Sequence, residues 1–126
     1  MAAECGAARF RRSDRLLRSR DFQWVTRHGR RVASRYFVVI AARSRGRDAV
    51  AGDRLGITVS RKVGNAVVRN RVKRRIREWF RARDAARARG LDVVVIARRA
   101  AVELDGNGVR QELARLFEDD AGRGAR

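Results

Sequence analysis

The residues best suited to chemistry lie between Arg61 and Phe80, where eight positive charges and one negative charge fall within twenty residues. Guanidinium groups bind phosphate oxygens through paired hydrogen bonds, so this density of arginine favours binding of a polyphosphate. At about 100° per residue, the stretch separates into an apolar side and a cationic side. The apolar side holds Val68, Val72, Ile76, Trp79 and Phe80. The opposite side holds Asn70, Lys73, Arg74, Arg77 and Arg81, with Arg71 on its flank. The pattern predicts a folded helix whose cationic face meets a polyanion.

Groups typical of catalysis by a protein are scarce in the sequence. The acidic residues are scattered singly or lie in the run 118–120, His28 is the only histidine, and Cys5 is the only cysteine. A metal-dependent nuclease needs clustered carboxylates or histidines. The sequence also lacks a glycine-rich phosphate loop, a serine nucleophile elbow and zinc-ligand spacing. We therefore expect no catalytic residue and no metal ligand in this chain.

The overall charge also indicates an anionic partner. The chain of 126 residues carries a formal charge of +18, and only two of its 32 basic residues are lysines, Lys62 and Lys73. This dominance of arginine suits phosphate contacts and equally suits a GC-rich genome, so both explanations stay open. With 44% hydrophobic residues the chain can fold, and it has no apolar run of the roughly 20 residues that a membrane span needs. The expected protein is soluble and cytoplasmic.

Hydrophobic periodicity and turn residues predict the elements that would position the cationic stretch. Ser19 caps a first helix at 20–28, which Gly29 ends, and the cationic helix starts near Asn65 and continues through Arg89 to Gly90. Strands are expected at 36–42, 55–60 and 91–97, the last one central in the sheet. After a Gly-Asn-Gly turn comes a final helix with Val109, Leu113, Leu116 and Phe117 on its apolar side.

This order of elements predicts one small α+β domain, with a layer of helices on one mixed sheet. Residues 1–17 are interpreted as a flexible basic arm, 18–118 as the domain, and 119–126 as a flexible tail.

Aromatic side chains close to arginines suggest a second kind of contact with nucleic acid. Phe22, Tyr36 and Phe37 lie near Arg18, Arg20 and Arg35. Single-stranded RNA is commonly bound by aromatic stacking beside a cationic groove. We interpret Phe37 and Trp79 as core residues, whereas Phe22 and Tyr36 suit either the core or a stacking site.

Four segments of the chain together resemble the bacterial ribonuclease P protein family, over about residues 13–118. They are Arg-Ser-Arg-Asp-Phe-Gln at 18–23, Arg-Tyr-Phe-Val at 35–38, the run 56–75 and Asp-Val-Val-Val-Ile-Ala-Arg at 92–98. The string Lys-Val-Gly-Asn-Ala-Val-Val-Arg-Asn-Arg at 62–71 is the most specific, because it joins a turn, a helix start and the Arg-Asn-Arg signature of the family.

The resemblance implies a sheet of about four strands, folded like the second domain of ribosomal protein S5, with a left-handed strand–helix–strand crossover. The usual rule for such crossovers gives the opposite hand. It also implies the protein subunit of an endoribonuclease, which assists a catalytic RNA in removing the 5′ leader of precursor tRNA. That RNA would carry the chemistry and bind the Mg²⁺, while the protein would bind no metal, DNA or membrane.

Carried over by position, the resemblance divides the predicted site into two parts. Contacts with the catalytic RNA and the leader are implied for Arg61, Lys62, Arg69, Asn70, Arg71, Lys73, Arg74 and Arg77. The leader cleft is implied for Arg18, Phe22, Tyr36 and Ile40. The helical projection agrees with the RNA-facing helix residues in this set except Arg69, which it places nearer the buried side.

Two residues of the cleft depart from the family pattern. Thr26 stands where relatives commonly carry an aromatic residue, and Ile40 stands where some carry tyrosine. Weaker stacking of the leader is expected, or participation of Trp24 and Tyr36 in its place.

Three other function classes are alternatives to this interpretation, and they differ in how well the sequence supports them. A general RNA-binding or ribosome-associated protein could share the fold without a role in cleavage. A DNA-binding regulator is disfavoured, because the cationic helix offers few uncharged base-reading residues besides Asn70. A nuclease that acts without RNA has the least support, since no cluster of catalytic groups is present.

Overall fold

The computed structural model describes residues 19–43, 53–83 and 90–124, and these residues contain three α-helices and four β-strands. Helices α1, α2 and α3 cover Ser19–His28, Ala66–Ala82 and Gly106–Gly124. Strands β1 to β4 cover Arg30–Ala33, Phe37–Arg43, Arg54–Val59 and Leu91–Ala97. A short 3-10 helix, Arg99–Glu103, connects β4 to α3.

The strands form one mixed sheet in the order β1-β2-β4-β3. Strands β1 and β2 pair antiparallel, as do β2 and β4, whereas β3 and β4 are parallel. The predicted central position of 91–97 is confirmed, because β4 has a hydrogen-bonded neighbour on each side. Helix α2 connects the parallel strands β3 and β4 and so makes the expected crossover, whose left-handedness stays a prediction.

Helices cover both faces of this sheet, so the expected layer of helices is divided. One face packs against α2 and α3 in a main cluster that includes Phe37, Val39, Val93 and Ile76. The other face packs against α1 in a second cluster of Val25, Val38, Ile40 and Val94. Successive side chains of a strand point to opposite faces. Because β2 and β4 are apolar at nearly every position, both of their faces need cover.

Helix α2 begins as predicted and ends earlier than predicted. The Asn65 side chain caps it by accepting a hydrogen bond from the Val68 amide at 3.0 Å. The predicted continuation to Arg89 is wrong at Arg83, whose backbone is extended, with ψ 154. Alanine and arginine favour a helix, but Arg83 leaves it to pair with Asp53 at 3.0 Å. Residues 84–89 lie outside the described residues. Gly90, with φ 71, precedes β4.

The expected turn at Gly-Asn-Gly is also wrong, since these glycines lie inside the first turn of α3. Asp105 caps this helix by accepting from the Gly108 amide at 2.7 Å. Neither the 3-10 helix nor the position of β1 was predicted, although the resemblance implies a sheet of about four strands. Backbone at 119–124 is helical; residues 1–17 of the expected arm lie outside the described residues. None of the helices, as far as the structure describes them, is long and apolar enough to cross a membrane.

Candidate nucleic-acid interface

Helix α2 is fixed to the core by the apolar side that its sequence predicts. Val72, Ile76, Trp79 and Phe80 are buried, and Val68 packs against the same cluster while partly exposed. Arg75 adds a polar anchor, because its Nη1 donates to the Leu104 carbonyl oxygen at 2.7 Å. Packing and a hydrogen bond therefore both attach the buried side of α2 to the rest of the fold. The opposite side of the helix can make other contacts.

The opposite side of α2 is a cationic face, defined here as Asn70, Arg71, Lys73, Arg74 and Arg77. Asn70, Arg71 and Arg74 are exposed, and Lys73 and Arg77 are partly buried. Within the described residues, Arg71, Lys73 and Arg74 form no ion pair with a carboxylate. Like charges three or four residues apart on a helix repel by a few tenths of a kcal/mol per pair. A polyanion on this face would remove that repulsion.

Arg69 lies between the cationic face and the core, as the helical projection predicts. It is partly buried, and its Nε has no hydrogen-bond partner within the described part of the chain. A buried donor without a partner costs free energy. Because its side chain is partly buried, Arg69 is less accessible to a phosphate than the exposed Arg71 and Arg74.

The turn between β3 and α2 extends the positive surface. Arg61 and Lys62 are exposed there, and the Val63 amide closes the turn by donating to the Ser60 carbonyl at 3.1 Å. These two residues lie in the turn before the amino-terminal end of α2, and their contact with RNA stays a prediction.

Two further arginines lie close to this turn, and they were not identified from the sequence as candidate RNA-binding residues. Arg98 and Arg99 are exposed directly after β4; Arg98 donates to the Ser34 carbonyl at 2.8 Å, and Arg99 donates to the Lys62 carbonyl at 3.4 Å. Parallel strands β3 and β4 end at the same edge, which brings Arg99 to Lys62. The sequence contained one indication of them, namely that two basic residues directly follow a strand predicted to be central in the sheet.

The predicted leader-cleft residues do not all come together. Phe22 packs partly exposed against the second cluster, whereas Tyr36 packs against the main cluster, with the Arg35 guanidinium 5.8 Å from its ring centre. Ile40 is a correction, because it is completely buried and cannot contact a bound strand. Helix α1 and Gly29 lie over it, which explains its burial. Arg18 lies outside the described residues.

A partly accessible apolar surface nevertheless borders α1. Phe22, Trp24, Ala42 and Ile96 surround the second cluster without being fully buried. Trp24 stacks on the exposed His28, with ring centres 3.8 Å apart and an angle of 29° between the planes. Thr26 uses its hydroxyl within the helix, donating to the Phe22 carbonyl. The aromatic side chains of α1 that pack against the second cluster are thus Phe22 and Trp24.

Metal-ligating side chains are dispersed in the described ranges. There, no three residues among His, Cys, Asp and Glu lie close enough together to hold a metal ion.

Known proteins are similar to this chain over most of its length. The family model described as Ribonuclease P matches residues 10–119. The ribonuclease P protein component of Desulforapulum autotrophicum is 39% identical over 113 residues, which cover 90% of this chain and 93% of the relative. That of Syntrophobacter fumaroxidans is 42% identical over 119 residues, with 94% and 97% covered.

Solved structures show the same similarity in three dimensions. The RNase P protein of Staphylococcus aureus superposes with a TM-score of 0.73 at 36% identity, covering 83% of this chain and 93% of that one. The RNase P protein of Thermotoga maritima superposes with a TM-score of 0.69 at 39% identity, covering 81% and 93%.

Proposed function

The chain belongs to the ribonuclease P protein family, and from that membership we propose how its surfaces serve the enzyme. The family is the protein subunit of ribonuclease P, a tRNA-processing ribonucleoprotein, so the RNA of that enzyme is a partner of this chain. We propose that the cationic face of α2 binds this catalytic RNA and that the apolar surface beside α1 receives the single-stranded 5′ leader of precursor tRNA. The proposed place of action is the cytoplasm.

One observation carries the assignment of the RNA-binding surface. Helix α2 is docked by its buried side while Asn70, Arg71 and Arg74 stay exposed, and the two arginines have no carboxylate partner in the described residues. Arginine contacts phosphate with paired hydrogen bonds and stays charged at any physiological pH. The proposed role of this face is phosphate contact rather than base reading, since it fixes position without specifying sequence.

The proposed division of labour places the chemistry in the RNA. Mg²⁺ bound by that RNA would activate water and stabilise the charge of the departing oxygen during hydrolysis of the phosphodiester bond. The residues of this chain would act by binding. Two polyanions, catalytic RNA and precursor tRNA, must approach each other, and a chain of charge +18 lowers their mutual repulsion. The benefit from the protein should therefore be largest when little Mg²⁺ is present.

The first prediction tests this role directly. Adding the protein to the catalytic RNA of its own organism at low Mg²⁺ should accelerate cleavage of precursor tRNA and tighten substrate binding. Arg74→Glu should weaken the protein's affinity for the catalytic RNA by on the order of tenfold, which corresponds to about 1.4 kcal/mol. Arg110→Glu, which makes the same charge change on the exposed surface of α3, should retain the affinity. Cleavage rates and binding curves measure both effects.

Two outcomes would contradict the proposal. If the wild-type protein changes neither cleavage nor substrate affinity, the chain does not assist the RNA as described. If it binds ribosomal particles as tightly as the catalytic RNA, it acts as a general RNA-binding protein.

A further inference from the structure

An ion-pair network joins α1 to the sheet at the start of β3 and β4. Arg54 Nε donates to Asp92 Oδ1 at 2.8 Å, and Arg54 Nη2 donates to Asp92 Oδ2 at 2.7 Å. The same Nη2 lies 3.6 Å from Oδ2 of Asp21, in the first turn of α1. All three side chains are largely shielded from solvent, with 17%, 2% and 16% exposure for Arg54, Asp92 and Asp21.

The two contacts of Arg54 have different strengths. The paired hydrogen bonds with Asp92 are short and charge-assisted, and they link the paired residues of neighbouring strands. The pKa of Arg54 is raised above its ordinary value, mainly by these hydrogen bonds with Asp92. The negative charges of Asp92 and Asp21 raise it further. The contact with Asp21 is longer. The sheet therefore keeps its own ion pair without Asp21, and the Asp21 carboxylate chiefly connects α1 to the sheet.

The two ends of α1 are held in different ways. Towards its carboxyl-terminal end, Val25 is completely buried and Gly29 approaches Ile40 and the backbone of Ala41 closely. Towards its amino-terminal end, the Asp21–Arg54 contact and the partly exposed Phe22 are the described links to the sheet. Loosening the Asp21 contact would let this end move while the other stays packed.

We propose that Asp21 is a positioning residue for the leader-binding surface. Its contact with Arg54 holds the first turn of α1 against the sheet and so fixes the neighbouring Phe22 in the orientation that a leader nucleotide meets. This inference deepens the proposed function and rests on it.

Because Asp21 is negatively charged, the direction of the change in binding affinity on its substitution tests the inference. A carboxylate beside a surface that binds RNA repels phosphate, so removing its charge alone should strengthen binding. Loss of the positioning contact should weaken binding of the leader instead. The two effects of Asp21→Asn oppose each other, and only positioning is specific for substrates that have a leader.

The experiment compares holoenzymes containing wild-type protein, Asp21→Asn or Asp21→Glu. Affinity is measured for precursor tRNA with a long single-stranded leader and for the same tRNA with a one-nucleotide leader, and separately for binding of the protein to the catalytic RNA. Asp21→Asn should weaken binding of the long-leader substrate three- to tenfold, leave the short-leader substrate unchanged, and leave RNA association equal or slightly stronger. Asp21→Glu keeps the charge and should restore most of the loss. Glu112→Gln removes a partly buried carboxylate from an ion pair on α3 and should show no leader-specific effect.

Each remaining result decides the matter. Unchanged or tighter binding of the long-leader substrate by Asp21→Asn overturns the positioning role, as does equal weakening for both substrates. Circular dichroism establishes that each variant is folded, and if Asp21→Asn does not fold, failure of the folded Asp21→Glu variant to match wild-type leader binding to within threefold overturns the inference. If the wild-type holoenzyme does not discriminate between the two substrates, the proposed leader-binding function itself fails, which is distinct from a failure confined to the variants.

Discussion

At the scale of single residues, Asp53 joins three segments of the chain that are far apart in sequence. Its Oδ1 accepts from the Leu91 amide at 2.8 Å, and its Oδ2 accepts from Arg83 Nη1 at 3.0 Å. The Arg83 guanidinium in turn lies 4.3 Å from the ring centre of Phe80 and 4.9 Å from that of Phe117. A single carboxylate therefore fixes the start of β3, the end of α2 and the start of β4 relative to each other.

Asp53→Ala should destabilise the fold strongly. The Asp53 side chain is only 1% exposed, and removing one partner of a buried ion pair typically costs about 3–5 kcal/mol. That is a large part of the roughly 5–15 kcal/mol by which domains are usually stable. Chemical denaturation followed by circular dichroism measures the change. Glu103→Ala, which breaks an exposed pair with Arg35, should cost about 1 kcal/mol or less. Equal losses in the two variants would show that the Asp53 junction contributes no more than a surface pair.

Residue positions on a helix could be predicted better than residue positions on the sheet. The exposure of Arg71 and Arg74 follows from helical periodicity alone, because 3.6 residues per turn fixes which side chains share a face. The burial of Ile40 does not, because an unbroken apolar strand carries no sign of which face a helix covers. Arg98 and Arg99 were missed since their proximity to Ser34 and Lys62 depends on pairing between distant strands.

At the scale of elements, Gly29 determines how closely α1 approaches β2. The predicted end of α1 at Gly29 is confirmed, since the helix stops at His28. Gly29 itself has no positive φ, which among the described glycines occurs only at Gly90. A Cβ at Gly29 would lie 2.5 Å from the Val25 carbonyl oxygen, 2.6 Å from Ile40 Cγ2 and 3.0 Å from the Ala41 carbonyl oxygen. The residue is small because the helix and the strand are in contact there.

Gly29→Ala should therefore destabilise the protein by about 1–3 kcal/mol, the usual cost of overpacking. Two of the three close atoms belong to the backbone, so a change of side-chain rotamer cannot relieve the clash. Gly106→Ala provides the matched control, because a Cβ there meets nothing within 4 Å. Thermal melts of the two variants should diverge, with Gly106→Ala at or above wild type. A Gly29→Ala variant as stable as Gly106→Ala would mean that α1 can move away from β2 without cost.

Element types and order could largely be read from the sequence, whereas element ends could not. Periodicity gives α1, α2, α3 and the central strand β4, because each has a clear apolar pattern. The end of α2 depends on the pairing of Arg83 with Asp53, a contact across 30 residues that no local propensity encodes. The start of α3 depends on Asp105 as a cap, and the glycines after it hide that signal.

At the scale of the whole molecule, one sheet connects the two proposed binding surfaces. Helix α2 packs into the main cluster on one face, and α1 packs into the second cluster on the other. Strands β2 and β4 contribute side chains to both clusters. Because protein cores are packed as closely as organic crystals, the separation of the two surfaces is fixed before any RNA binds. Such a rigid spacer suits the proposed function, in which the protein holds a leader at a set position relative to the catalytic RNA.

From the net charge of +18 we expect binding to the catalytic RNA to depend steeply on salt concentration. Each phosphate that the protein neutralises contributes about 0.7–0.9 to the slope of log affinity against log salt concentration, because counterions leave the RNA. If Arg74 contacts one phosphate, Arg74→Gln should reduce the magnitude of this slope by about 0.7–0.9 relative to wild type. Arg110→Gln, the same change on the exposed surface of α3, should leave the slope intact. Binding titrations from about 50 to about 200 mM salt measure the slopes. Weaker affinity of Arg74→Gln at every salt concentration with an unchanged slope would mean that Arg74 stabilises the interface without meeting a phosphate, and the cationic face would then bind RNA through its other members.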